Sequence, residues 1–176
     1  MLAHWRMFAG YNAWANALVY DQAAELSDAD YRVDRGAFFK SVHGTLNHLL
    51  VTDRIWMHRF TGEGKTVQQL DAILHESFVD LRADRVNKDA RIATFIESLD
   101  EGRLAQSICY QAISKPAEIE QDLGTALAHF FNHQTHHRGQ LHCLLTSLTG
   151  QGPCLDLVAY QRQVGLCRSR DVRIYG

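Results

Sequence analysis

Five of the ten histidines in this 176-residue chain fall between His129 and His142, in the run HFFNHQTHHRGQLH. Neutral imidazole is a good ligand for divalent first-row ions, and two imidazoles four residues apart stack on one helix face. Each helical residue advances about 100°. With His137 as the origin, Leu123, Ala126, Phe130, Leu141, Leu144 and Leu148 fall within about 40°, so the apolar stripe runs through His137. His133 lies about 40° to one side, His129 and His136 sit on the margin at about 80–100°, and His142 points away. The spacing therefore aims His133 and His137 together at the interior. Two buried imidazoles side by side lose hydration, and protonating both sets like charges against each other. A metal ion removes that conflict by using both lone pairs. The competing reading is a pair of ordinary core or surface histidines.

Gln134, Thr135 and His136 separate the pair, so the metalloprotease pattern H-E-x-x-H and its general-base glutamate are absent. A third ligand must come from elsewhere in the chain. His43, His48 and His58 on a second helical stretch, His4 on the first and His75 in a loop are the candidates. Val42, Leu49, Trp56 and Phe60 define one face of that second stretch. His48 lies about 100° from Leu49, His43 about as far on the other side, and His58 opposite. Thr45, Thr52 and Ile55 share the side of His48 and could line a pocket, but spacing leaves the choice of ligand open. No residue is assigned as general base: Asp53 stands about a turn beyond His48, but acidic residues on exposed helix faces are usually solvated.

Helical spacing dominates the elements that must position these groups. Residues from about Leu2 to Leu26 read as an amphipathic helix through Trp5, Phe8, Trp14 and Leu18, followed by a cap-like Ser27-Asp28-Ala29-Asp30. A second helix is expected over about Ser41 to Phe60, closed by Gly62 and Gly64. A third is expected over about Phe78 to Leu104. Between about Ser107 and Glu120 apolar and polar residues partly alternate and Pro116 interrupts, which reads as a short extended piece or hairpin. A fourth helix follows over about Asp122 to Leu148, ended by Gly150-Gln151-Gly152-Pro153. The segment with Leu155, Leu157, Val158 and Tyr160 reads as a short capping helix or tail. The expected fold class is all-α, a four-helix bundle in one domain spanning residues 1–176, with its topology left open by the long connections.

Composition bounds the function. A chain of this length buries roughly 70% of its unfolded surface and needs no disulfide to fold. With 46% hydrophobic and 22% charged residues it is not a disordered sequence. Eighteen Lys and Arg against 20 Asp and Glu leave a formal charge of −2, hence no global basic field for nucleic acid or anionic lipid. Cys109, Cys143, Cys154 and Cys167 form no C-x-x-C pair and read as buried small hydrophobes in a reducing compartment. No apolar run approaches a membrane span, and the first twenty residues lack the apolar core of a signal peptide. The expected location is cytoplasmic.

The segments SVHGTLNHLLVTDRIWMHRF and HFFNHQTHHRGQLHCLL, together with the early Tyr11-Asn12-Ala13-Trp14-Ala15-Asn16 and the late Pro153…Asp156-Leu157, resemble the DinB family of DinB/YfiT-like metalloenzymes. The resemblance spans nearly the whole chain, and His133-x3-His137-Arg138-Gly139-Gln140 with Leu46-Asn47-His48-Leu49 is its most specific part. It implies a four-helix bundle in which one histidine of the second helix joins two of the fourth around a divalent metal, here His48, His133 and His137, with zinc or nickel expected. It also implies a homodimer. His129 and His136 become rim or supporting residues, and Arg138 and Gln140 structural or interface groups. Three protein ligands leave a position open, as in catalytic rather than structural sites. Family members include thiol-dependent transferases and isomerases using bacillithiol or mycothiol, so a small-molecule substrate and a low-molecular-weight thiol are expected. A hydrolase using metal-activated water is the alternative. A damage-inducible bundle with a structural metal or none is a further one, while the near-neutral charge argues against a nucleic-acid partner and no membrane partner is expected.

Overall fold

Serine and aspartate side chains start four of the helices, as their competition for backbone N–H groups dictates. The computed structural model describes residues 1–113 and 117–168. Its elements are α1 (Leu2–Ala23), α2 (Asp28–Arg32), α3 (Val42–Thr61), α4 (Phe78–Glu97), α5 (Glu101–Leu104), β1 (Ser107–Gln111), β2 (Glu118–Asp122), α6 (Leu123–Thr149) and α7 (Leu157–Gln163). Ser41 Oγ accepts from the Gly44 N–H at 3.1 Å to open α3, and Ser77 does the same for Asp80 at the start of α4. Gly62 and Gly150, both left-handed, end α3 and α6.

Two boundaries depart from the sequence expectation. Ser27 does not merely stop the first helix: its hydroxyl caps a separate short helix, α2. The third helix ends at Glu97, and Asp100 accepts from the Arg103 N–H to start α5, so the expected single element is two. The hairpin is present, with β1 antiparallel to β2 and Cys109 opposite Glu120. Pro116 lies outside the described residues.

The chain is mostly helical, and four long helices carry the interior. Side-chain pairs give their directions. Asn12 and Asn16 meet Asp89 while Arg6 meets Glu97, so α1 and α4 are antiparallel. Arg54 meets Asp84 and Arg91 meets Thr61, so α3 and α4 are parallel. Asn12 reaches Arg138 while Gln22 reaches Thr149, so α1 and α6 are parallel. The order is up, down, down, up. The long segment from Gly62 to Ser77 carries the chain back to the end where α3 began. The core falls into two apolar clusters at opposite ends of these helices. Trp5, Trp56, Phe60, Ile92, Ile96, Leu127 and Phe130 belong to one; Val19, Leu46, Leu50, Leu81, Leu141 and Leu145 belong to the other. Between them lies a buried polar layer with His48, Asp53, Arg85, Gln134, His137 and Arg138. Among the described residues no helix is long and apolar enough to cross a membrane.

Candidate metal centre

The polar layer exposes its chemistry where α3 crosses α6. His48 and His137 are buried and His133 half-buried. Their ligand nitrogens all lie within 4.8 Å of one another. His48 Nε2 stands 3.2 Å from His137 Nε2 and 3.4 Å from His133 Nε2. The far nitrogens decide what those contacts are. The Leu70 carbonyl sits 2.7 Å from His48 Nδ1, and a carbonyl can only accept, so Nδ1 carries the proton and Nε2 a lone pair. The Gln140 amide donates to His136 and presents its Oε1 2.8 Å from His137 Nδ1, which places that proton as well. The approach of these two Nε2 atoms is therefore lone pair against lone pair.

That arrangement fits a cation. Two metal–nitrogen bonds of about 2.0–2.1 Å at a tetrahedral angle span about 3.3–3.4 Å. Burial also keeps the imidazoles neutral: it holds His48 down to about 4 and, with the neighbouring imidazoles, His133 down to about 3, and draws His137 below its ordinary value. Neutral imidazole is the ligating form. The three histidines could together hold a metal ion.

Local structure holds this geometry. Phe39 stacks on His48 with ring centroids 3.6 Å apart and meets His137 edge-on at 5.5 Å. The stack depends on Gly44, because a Cβ there would stand 2.1 Å from the Phe39 carbonyl oxygen. Beside the histidines a cavity of about 350 Å³ is walled by Ile55, Trp56, Tyr110 and Ile119, with His48 and His133 at its edge.

A model of the DinB family matches residues 1–165. The chain belongs to the DinB family. It is also 25% identical to Protein DinB of Bacillus subtilis (strain 168) over 150 residues, covering 77% of this chain and 80% of that one. DinB membership and the three-histidine group together fit a metal-binding protein.

The DinB-like segments meet in space. Arg138, beside His137, is buried and donates to the side-chain oxygens of Asn12 and Asn16, with its guanidinium 5.2 Å from the Tyr11 ring. Tyr11 in turn donates to the Leu155 carbonyl at 2.6 Å, tying in the C-terminal segment. Arg138 is thus structural, as expected, whereas Gln140 orients a candidate ligand. The remaining ligand candidates are engaged elsewhere. His43 contacts the His75 carbonyl and Arg32, His58 the Gly64 carbonyl, and His75 the Asp84 carboxylate, while His4 packs edge-on against Trp5 and Phe8 on the outside. His129 packs on Trp56, and His142 donates to the Pro153 carbonyl.

Two side-chain expectations change. Asp53 is neither solvated nor at the site: it is buried, ion-paired with Arg85 at 2.6 Å and hydrogen-bonded to Gln134. The cysteines are not core residues. Cys109, Cys143 and Cys154 are exposed and Cys167 half-buried, because Cys109 takes an outward position of β1 and Cys143 the outer face of α6. Sequence reasoning passed over Phe39, the Leu70 carbonyl and Arg59. A backbone carbonyl leaves no residue-type signal, and an arginine near the end of a helix reads as solvated.

Proposed function

We propose that this chain is a metal-dependent DinB-family enzyme acting on a small molecule, with a divalent ion, zinc or nickel, held by His48, His133 and His137. The observation that carries the reading is the convergence of imidazole lone pairs whose opposite nitrogens are pinned by Leu70 and Gln140. Three ligands leave room for a further one, the mark of a catalytic site. The ion, when bound, would act as a Lewis acid that favours the deprotonated form of a coordinated thiol or water.

The protein's own residues supply the rest. Leu70 and Gln140 hold two rings in one tautomer, Phe39 covers them, and Trp56, Ile55 and Ile119 form an apolar wall of the adjoining cavity. Among the described residues the lining of that cavity carries no carboxylate to serve as general base for water. This favours a thiol-dependent S-transferase or isomerase over the hydrolase alternative, since a thiol is far more acidic than water. The reading includes one DinB-type four-helix-bundle domain over residues 1–176, assembled as a cytoplasmic homodimer.

Elemental analysis of tag-free protein, wild type beside His137→Ala, tests the site. About one equivalent of a first-row metal in the wild type and none in the variant is expected, with helical content unchanged. Native protein kept from chelators that carries no metal, and binds none on titration, overturns the reading. Turnover of thiols with a panel of electrophiles then separates transferase from hydrolase.

A further inference from the structure

Arg59 lies on the wall shared by two cavities. One, of about 350 Å³, reaches His48 and His133; the other, of about 390 Å³, opens toward Thr66 and Gln68. Its guanidinium carbon sits 4.5 Å from the Trp56 ring centroid and 4.1 Å from that of Tyr110, so two aromatic faces hold the group in place. Its hydrogen bond is a 3.1 Å donation from Nη2 to the Gln111 carbonyl. A guanidinium has five N–H donors, so among the described residues most of this fork has no protein partner and is open to a ligand.

Among the described residues this charge meets no carboxylate. Half-buried Arg54 pairs with Asp84 and buried Arg85 with Asp53 and Asp89, while buried Arg138 donates to the side-chain oxygens of Asn12 and Asn16. Arg59 forms no ion pair among the described residues, and the described lining of both cavities contains no Asp or Glu. Burial draws its pKa below the ordinary arginine value, yet an arginine stays protonated near neutral pH. The polar contact it lacks is the one a planar carboxylate makes best, through two parallel N–H···O bonds. A single cation balances a single negative charge. The surrounding Ile55, Trp56, Ile113 and Ile119 side chains call for an apolar body attached to that charge.

We infer that Arg59 is a substrate-recognition residue and that the ligand of this cavity is a small monocarboxylate with an apolar body, its carboxylate on the guanidinium and its other end toward the histidines. The inference rests on the imidazole cluster being the reacting end of the site, but the carboxylate contact itself does not involve the metal.

Phenylacetate and phenylacetamide, which differ in charge but not in shape, are suitable probes for titration calorimetry on the full chain, both as isolated and after metal removal. Removing the metal excludes direct ligation by the acid. Phenylacetate is expected to bind both forms, phenylacetamide at least about tenfold more weakly, and Arg59→Gln to lose about tenfold or more in phenylacetate affinity alone. Arg59→Lys keeps the charge without the fork and should recover part of that loss. Metal content of the same samples reports on the imidazole site separately. Arg59→Gln keeping its metal while losing phenylacetate supports the assignment, and so does His137→Ala, outside the lining of this cavity, losing metal while keeping phenylacetate. Equal affinity for acid and amide, no acid binding by the wild type, or unchanged affinity in Arg59→Gln overturns it.

Discussion

Two clusters of polar groups share the middle of this molecule, and they are built on opposite principles. Asp53, Arg85 and Asp89 form one, with Arg138 joined to it through Asn12 and Asn16. Arg85 bridges both carboxylates at 2.6 and 2.9 Å, and the asparagines donate to Asp89 while accepting from Arg138. Two positive charges thus stand against two negative ones. The other cluster, a turn away along the same α3 and α6, sets the lone pair of His48 Nε2 against that of His137 Nε2. A buried polar group costs free energy unless it finds a partner. A cluster whose charges balance internally therefore serves the fold, and one that sets lone pair against lone pair marks the place where something else binds.

The sharpest way to break this contrast is to open the closed cluster. Arg85→Met leaves two buried carboxylates without their cation and should cost about 3–5 kcal/mol of unfolding free energy, read by chemical denaturation. A loss below about 1 kcal/mol would show that the network is not holding the helices together.

Acid should unbalance the open cluster instead. In metal-free protein His48 and His133 stay neutral down to about 4 and 3, against 6.5 for an ordinary imidazole. As pH falls, the unfolded chain takes up these protons first, so a depressed folded-state pKa is a contribution to stability present above about pH 6.5. It drains away as the pH drops toward 4 and then 3. Melting temperature followed from pH 7.5 to 4.5 should decline in metal-free wild type and flatten in a His48→Gln, His133→Gln variant. Equal slopes would mean that these rings are not the groups titrating. The smallest effect is expected at the support of a single ring. Gln140→Ala removes the acceptor at His137 Nδ1 and should weaken metal affinity about ten- to a hundredfold with the fold intact, measured by competition with a chromogenic chelator.

How much of this was legible from sequence varied from element to element. The fourth-helix pair was readable because the helical period rigidly relates residues four apart, and α6 has one dominant buried stripe. The same argument failed on α3, where 15 of 20 residues are buried and no stripe exists to measure from. Family resemblance, not spacing, singled out His48. Asp53 was misjudged for the same reason, since a residue on an all-round buried helix has no solvent face to occupy. The small helix α2 went unread because five residues carry too little periodicity, and only its serine cap signalled it.

By itself, then, the sequence determined the helical character of the chain, the register that turns His133 and His137 inward, and the segments shared with the DinB family. These follow from local periodicity and from side-chain type. The tertiary structure alone decided which distant groups meet: the Leu70 carbonyl on His48, Arg85 on Asp53, Asn12 on Arg138, and Arg59 between Trp56 and Tyr110. Those encounters depend on how each helix is rotated and slid against its neighbours. Packing across the whole core sets that rotation, and no short stretch of residues contains it.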